Sequence, residues 1–587
     1  MDNIGKFIEF NNFNKIDVQK LTFRYLFTEF NAIEDISFSV KSGECIGIIG
    51  RNGSGKSTLC FALTGLVPNF FRGSYSGNVY IDGENILDIP ARKLVQKIGL
   101  VLQNPFSQIS GAKMTVFEEV AFGLENLGVP RDEMLSRIEN VLKMLGLWEK
   151  RNENPFELSG GQLQRLAIAS VLALKPEIVI FDEPTSQLDP QATNEVFDAI
   201  GQLKKNGVTV VIVEHKFEKL VEYTDRIMLL HEGKLLHFDS PEKIFSKPEI
   251  DELHIGEPFH TYVCKKMDIR NKEGFYPAKF YEAVNLLKSA KKKFEWFNEK
   301  LESIPANIRF TDIAEFKELK TPKSIFEDYR QLTQSPEQKD QVIRVENLWF
   351  YYKVGEYVLE NINVTIDKRA TAIVGQNGAG KTTFVKLIKA LLTPIKGEIF
   401  VKGQNTKDTT VAQLSKLVGL VFQNPADQIF KSKVIDEVMF GPLNIFRDKE
   451  YSYRKSLEAL KIVGLDKKVN YHPYDLTLSE RKLLCIASIL AMDPEIIIFD
   501  EPTIAQDKYH IQKIGEIIKE LIKNRKVILT ITHDMDFVYD NFERTIVFSK
   551  GKIIDDGKTK DVLNKEEVLS LAHIELPTPI KLLRYLR

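Results

Sequence analysis

Two short segments combine glycines, a lysine and a hydroxyl at a spacing suited to phosphate. They are Gly50, Asn52, Gly53, Ser54, Gly55, Lys56, Ser57 and Thr58 in GRNGSGKST, and Gly375, Asn377, Gly378, Ala379, Gly380, Lys381, Thr382 and Thr383 in GQNGAGKTT. Glycines let successive backbone N–H groups turn inward and cradle phosphate oxygens at a helix N-terminus. Lys56 and Lys381 are then expected to reach the β- and γ-phosphates of a nucleotide, and Ser57 and Thr382 to offer a hydroxyl to Mg²⁺. Further along, IVIFDE and IIIFDE end in the acidic pairs Asp182-Glu183 and Asp500-Glu501. The aspartates are expected to hold Mg²⁺ directly or through water, and the glutamates to orient and deprotonate an attacking water. The bland alternative is that these carboxylates only cap a helix after a strand.

Each group needs an element to aim it. Apolar runs at 45–49 and 371–374 precede the glycine loops and read as buried strands, with a helix opening at each lysine. The runs before the acidic pairs read as buried parallel strands that deliver carboxylates at their C-terminal ends. The pattern occurs twice throughout: GLVLQNPFSQ (99–108) returns as GLVFQNPADQ (419–428), and PEIVIFDEPT (176–185) as PEIIIFDEPT (494–503). The offset drifts from 325 at the lysines to 318 at His215 and His533, as expected of a duplication with small deletions. Two homologous domains are predicted, at 1–267 and 341–587. The segment 268–340 between them has no counterpart in the second half. There Phe280, Val284, Leu287, Phe294, Phe297 and Leu301 fall mostly at helical spacing, with Pro305 beyond. A helix packed on the first domain is expected, with a dedicated partner-docking helix as the alternative; Lys291 to Lys293 reads as a solvated face.

The chain has 587 residues, 80 Lys+Arg against 81 Asp+Glu, and 43% hydrophobic residues, which excludes disordered and fibrous classes. A net charge of −1 argues against a protein devoted to nucleic-acid phosphates. Cys45, Cys60, Cys264 and Cys485 are scattered, consistent with buried thiols and not with a zinc or disulfide framework. No signal peptide is read at MDNIGKFIEFNN, and no apolar run approaches the ~18–20 residues needed to span a bilayer. A cytoplasmic chain is expected, without direct lipid insertion.

LSGGQLQR (158–165) makes the pattern specific. The order of glycine loop, Gln-containing loop, LSGGQ, IVIFDEPT, a Ser-x-x-Asp segment and a single His resembles the nucleotide-binding domain of ABC ATPases, over nearly all of both halves. The resemblance implies an α/β fold: two P-loop NTPase domains in tandem, each with a RecA-like core, an antiparallel β-subdomain and a helical subdomain (103–158 in the first half). It also implies two ATPs between head-to-tail domains, each touching one domain's phosphate loop and the other's LSGGQ segment. Carried over, Gln103 and Gln423 sense Mg²⁺ and the attacking water, His215 and His533 contact the γ-phosphate, and Asp189 and Asp507 belong to interface loops. Tyr25 and Tyr352, 31 and 29 residues before their lysines, would stack on adenine; either could instead be a strand core residue. The halves differ in one respect: Ser159, Gly160, Gly161 and Gln162 become Thr477, Leu478, Ser479 and Glu480. Two glycines that permit close approach to phosphate are lost and a carboxylate is added beside an anionic ligand. The site of Lys381, Asp500, Glu501 and His533 with Ser159 to Gln162 is expected to be complete, its sister impaired.

VLQNPFSQ followed by TVFEEVAFGLENLGVP, and VFQNPADQ followed by VIDEVMFGPLNI, resemble the ATPases of energy-coupling factor (ECF) transporters, as do the tails with Pro258 and Pro577. That resemblance implies a transmembrane coupling subunit, a membrane substrate-binding subunit for a vitamin or metal ion, and a place on the cytoplasmic face of the membrane. It puts a short helix that receives the coupling subunit near 108–113 and 428–433. Ribosome-associated ABC factors and tandem sugar-importer ATPases are the rival classes; zinc modules or long coiled coils of DNA-repair ABC ATPases are not evident.

Overall fold

The computed structural model describes residues 14–186, 188–290 and 341–586. The expectations at 1–13, at Lys291 to Lys293 and at Phe294, Phe297, Leu301 and Pro305 lie outside these residues. The chain forms two compact units. One comprises Met1–Leu188, Ala192–Thr261 and Lys272–Phe280; the other comprises Asp189–Gln191, Tyr262–Asn271 and Tyr281–Arg587.

In the first unit a six-stranded sheet runs, in spatial order, Lys234–Asp239, Arg226–His231, Cys45–Ile49, Thr209–Val213, Ile178–Asp182 and Ile98–Val101. Its inner pairs are parallel, with one antiparallel edge at Arg226–His231 and Lys234–Asp239. Both faces of the inner strands are covered, which is why Cys45–Ile49 and residues 178–181 and 210–213 carry no charged or polar side chain. Ile46, Ile48, Ile178, Ile180, Val211 and Val213 pack towards a four-stranded antiparallel sheet that contains Asn14–Tyr25 and Gly73–Ile81. Cys45, Ile49, Val179, Phe181, Val210 and Ile212 face the helices. The helical insertion follows with Val116–Leu127 and Arg131–Met144. Thr115 and Glu118 close a capping box at the start of the first of these helices.

The second unit repeats the plan. Its large sheet runs Val418–Val421, Ile496–Asp500, Val527–Ile531, Thr371–Val374, Arg544–Ser549 and Lys552–Lys558, beside an antiparallel sheet of four strands. Ile496, Ile498, Val527, Leu529 and Ile531 turn to one core, and Ile497, Phe499 and Ile528 to the other.

Two expectations change. The helix predicted after 268 spans Phe280–Ser289 and buries Ala283, Val284 and Leu287. Its first residue belongs to the first unit, where Phe280 N–H donates to Glu222 Oε1 at 3.2 Å and its ring meets His260 at 5.6 Å; from Tyr281 onward it is grouped with the second unit, where the Tyr281 ring meets Tyr585 edge-on at 6.0 Å. The short helices after the Gln loops lie at Pro105–Ser107 and Pro425–Asp427 as single 3₁₀ turns, and 108–113 and 428–433 are not helical. The cause is local: the Asn104 and Asn424 side chains accept from the N–H groups of Phe106 and Ala426, and a proline follows each asparagine, which starts the turn earlier.

Candidate nucleotide site

The strand Cys45–Ile49 ends at Gly50, and the helix Lys56–Leu63 begins after Gly55, which has φ 97°. A Cβ at Gly55 would lie 2.5 Å from the Ala32 carbonyl, so only glycine lets the loop turn into its helix here. Gly380 is equivalent, with φ 96° before the helix Lys381–Ile388. Each loop folds its own lysine inward. Lys56 Nζ donates to the carbonyls of Gly50 and Arg51 at 2.9 and 3.0 Å, and Lys381 Nζ to those of Gly375 and Gln376 at 2.6 and 2.9 Å. Both ammonium groups are thus held over the cradle that a phosphate chain would occupy. Asn52, Gly53, Asn377 and Gly378 line the turns, and Ser54 Oγ is buried without a hydrogen-bond partner.

The acidic pairs arrive from the next strand but one. Asp182 ends Ile178–Asp182 and Asp500 ends Ile496–Asp500, both nearly sealed from solvent. Burial first, then the adjacent Glu183, raises the Asp182 carboxyl to about 6 against the Ser57 hydroxyl that pulls it down. Asp500 is likewise lifted to about 6 by burial and Glu501, with Thr382 opposing. The Thr382 hydroxyl donates to Asp500 Oδ1 at 3.2 Å. Asp182 Oδ1 is buried with no hydrogen-bond partner. A buried, partnerless carboxylate oxygen beside a hydroxyl and a phosphate cradle fits a hard cation such as Mg²⁺. Among the described residues no group of three or more His, Cys, Asp or Glu side chains could hold a metal unaided.

Glu183 and Glu501 follow with φ 49° and 48°, a strained backbone for a residue with a side chain. The conformation is held by Glu183 N–H on Val213 O at 3.0 Å and Glu501 N–H on Ile531 O at 2.9 Å. In the first unit Gln103 Nε2 donates to Glu183 Oε2 at 2.6 Å, and His215 Nε2 lies 3.0 Å from Oε1. In the second, His533 Nδ1 is 3.0 Å from Glu501 Oε2 but not aligned for a hydrogen bond, and Gln423 is exposed. Burial would raise the Glu501 carboxyl, yet His533 and Lys381 hold it down to about 2. In the first unit glutamine, histidine, acidic pair and lysine come together; in the second the acidic pair, histidine and lysine do, while the Gln423 side chain stands exposed.

The Tyr25 hydroxyl shares a hydrogen bond with Thr58 at 3.1 Å, and that of Tyr352 with Thr383 at 3.3 Å. Each tyrosine sits beside the helix that follows its loop. Tyr25 also packs edge-on against Phe71 at 6.4 Å, whereas Tyr352 is 62% exposed. The ring of Tyr352 is the more open of the two.

Ser159, Gly160, Gly161 and Gln162 start the helix Gly160–Leu172 through a capping box: Ser159 N–H to Gln162 Oε1 at 3.0 Å and Gln162 N–H to Ser159 Oγ at 3.3 Å. Nothing in the chain demands these glycines locally. A Cβ at Gly160 meets nothing within 4 Å, and one at Gly161 only Leu188 at 3.5 Å. Thr477 and Glu480 build the same box at Leu478–Leu490, with Ser479 fully buried. The Glu480 charge is less exposed than its type suggests. Burial would raise its carboxyl, but a hydrogen bond from Lys468 Nζ at 2.6 Å holds it below the usual range. In the first half the matching Lys150 pairs with Glu153 instead, at 2.9 Å. The expected repulsion is correspondingly reduced.

Sequence reasoning missed two bracing residues. Gln108 Oε1 accepts from Leu102 N–H at 2.9 Å and Gln428 Oε1 from Phe422 N–H at 3.2 Å, which fixes the start of each Gln loop. Their recurrence as the last letter of QNPFSQ and QNPADQ was the available signal.

A family description of ABC transporters matches residues 33–186 and 359–504. A Methanosarcina acetivorans protein provisionally named an ABC transporter ATP-binding protein is 34% identical over 98% of this chain and 90% of its own length. A like-named protein of Caldanaerobacter subterraneus is 35% identical over 97% of this chain and 95% of its own. Among solved structures, cbiO1 from Clostridium perfringens, described as part of the ABC transporter complex cbiONQ, is 29% identical over 42% of this chain and 99% of that one, with a TM-score of 0.37. With two such domains in one polypeptide, each carrying the loop, acidic pair and histidine in one cluster, the chain belongs to the ABC transporter family as a tandem ATPase.

Proposed function

We propose that this chain is the energy-coupling ATPase of an ECF-type importer for a vitamin or metal ion. In this reading domains 1–267 and 341–587, joined by 268–340, pair within one polypeptide and act at the cytoplasmic face of the membrane. A transmembrane coupling subunit docks beside Gln103 and Gln423, and a separate membrane subunit binds the substrate. The observation that carries it is a repeated apolar surface next to each Gln loop. Phe106 and Met114 are 59% and 72% exposed in the first unit, and Phe430 and Phe440 are 58% and 44% exposed in the second. No helix among the described residues is long and apolar enough to cross a membrane. Exposed apolar patches of this kind mark interaction sites.

At each centre Lys56 or Lys381 would bind the β/γ-phosphates. Ser57 with Asp182, and Thr382 with Asp500, would hold Mg²⁺, which neutralises phosphate charge when bound. Glu183 or Glu501 would orient a water and take its proton, with His215 or His533 on the γ-phosphate side. The glycines at 160 and 161, which their own domain does not require, suit approach of a phosphate chain. That makes the Lys381 centre the complete one and the Lys56 centre, facing Thr477 to Glu480, the degenerate one.

The test is co-expression with a polytopic coupling protein encoded beside this chain. Wild type should co-purify with it, and Phe106→Glu with Phe430→Glu should lose the complex while keeping ATP binding. Undiminished co-purification of that variant, or wild-type association with ribosomes instead, overturns the reading.

A further inference from the structure

Lys482 has no counterpart charge in the first half. It lies one turn inside the helix Leu478–Leu490, is 1% exposed, and ranks among the largest fully buried side chains of the protein. A lysine buried to that degree must find acceptors for its ammonium, because an unpaired buried charge is costly. Its Nζ donates to the carbonyl of Phe422 at 2.9 Å and to that of Gln423 at 2.7 Å. These two carbonyls form the backbone of the Gln loop directly after the strand Val418–Val421. The first half places Gln164 at the same register, and it spans only one of the two positions: Nε2 donates to Leu102 O at 3.1 Å, while its Oε1 is buried without a partner.

The second half therefore holds its Gln loop with a two-pronged ammonium where the first half uses a single amide. Charge differs as well. Burial lowers the Lys482 ammonium to about 8, so it keeps its proton at neutral pH, and Asp500, Glu501 and the buried Cys485 are the ionisable groups that act on it. The acid pair of the second half thus has two buried cations near it, Lys381 and Lys482. At Asp182 the corresponding influences are Lys56, His215 and the Ser57 hydroxyl, and position 164 is neutral.

We propose that Lys482 is a positioning residue of the Lys381 centre: its ammonium fixes the backbone from which Gln423 reaches the nucleotide, and offsets the negative charge of Asp500 and Glu501. The helix that carries Lys482 also begins with Thr477 to Glu480, so the segment lacking the two glycines and the grip on Gln423 form one rigid piece. In this chain the residue types that weaken one centre and brace the other lie within six positions of each other. The inference rests on the ATPase shown by family membership and not on the importer reading, and its assay contains no membrane partner.

The experiment compares Lys482→Met and Lys482→Gln in a Lys56→Ala background, which silences the first phosphate loop. Binding of a fluorescent trinitrophenyl-ATP is followed while Mg²⁺ is titrated, beside ATP turnover and melting temperature. Groups that support a metal site from behind its ligands typically contribute 10–100-fold to metal affinity or activity. Lys482→Met should therefore raise the Mg²⁺ concentration at half-saturation about 10-fold or more, and lower turnover with little change in the KM for ATP. Lys482→Gln, which installs the first half's own residue, should fall between Lys482→Met and the parent. A purely structural lysine would lower the melting temperature and leave Mg²⁺ dependence and turnover where they were; that result overturns the proposal. Should Lys482→Met fail to fold, Lys482→Gln decides alone, and parental Mg²⁺ dependence and turnover in that variant also overturn it.

Discussion

Gln103 donates its amide to Glu183 across 2.6 Å, and His215 meets the other oxygen of the same carboxylate at 3.0 Å. Both oxygens of that base are engaged. In the second unit Glu501 Oε2 has no aligned donor, and the carboxyl is held down to about 2 against the effect of its burial. Glu501 is thus held ionised although buried, with no glutamine bound to it as Gln103 is to Glu183. Combined with intact glycines at 160 and 161, this predicts unequal mutants. Glu501→Gln should remove nearly all ATP turnover, since losing a placed catalytic base costs about 10²–10⁴-fold. Glu183→Gln should leave a substantial fraction. Phosphate release from the two purified variants checks it, and equal losses would refute the asymmetric assignment.

Asp500 predicts a trade between stability and function. Its folded carboxyl sits near 6 against 3.8 for the free group, raised by burial and by Glu501. A folded value above the unfolded one means that the contribution is most favourable below pH 3.8 and is lost as pH rises through about 6. At pH 8 the nucleotide-free protein carries a penalty on the order of 2–3 kcal/mol at this carboxylate. Asp500→Asn should raise the melting temperature of the nucleotide-free protein most at pH 8, about half as much at pH 5, and abolish turnover. An unchanged or lower melting temperature at pH 8 would show that the site does not store this strain.

Much of this arrangement was legible in the sequence because phosphate chemistry demands specific types at fixed spacings. The strands Cys45–Ile49 and Thr371–Val374 match the apolar runs read before each loop, since a strand covered on both faces leaves no polar position to blur its ends. The acidic pairs, Gln103 and His215 converge as expected. What was not legible depended on neighbours distant in sequence. Lys468 neutralises Glu480 from 12 residues away, where the matching Lys150 pairs with Glu153 and the second half has Tyr471 at the position of Glu153. Lys482 gave no signal in the sequence, because its burial follows from packing under a loop some 60 residues earlier. The short turns at 105–107 and 425–427 were misplaced because an asparagine cap and a proline outweighed the family spacing.

The duplication itself makes a prediction about assembly. Joining the two halves in one chain raises the effective concentration of each for the other. ATP should therefore close the halves within one molecule. Light scattering of Glu501→Gln with saturating ATP should report one chain of 67.2 kDa. A nucleotide-dependent dimer of whole chains would contradict this.

The last prediction concerns repair of the degenerate segment, and the structure sets its terms. Leu478 is 38% exposed, Ser479 is sealed, and Glu480 is bonded to both Thr477 and Lys468. Replacing Leu478 and Ser479 by glycine costs backbone entropy of up to about 1 kcal/mol each in a helix interior, and less at its first turn. Glu480→Gln should keep the capping box, because Gln162 fills the identical role in the first half, while it gives up the ion pair to Lys468. The triple variant should accordingly melt a few degrees lower. In return the Lys56 centre would face two glycines and an uncharged amide, the same composition that serves Lys381 in the proposed pairing. Introduced into Glu501→Gln, the triple change should raise residual phosphate release, and further removal of Glu183 should abolish the gain. If the triple variant folds and no activity returns, the loss of the first centre lies elsewhere, and the closed bridge from Gln103 to Glu183 becomes the place to look.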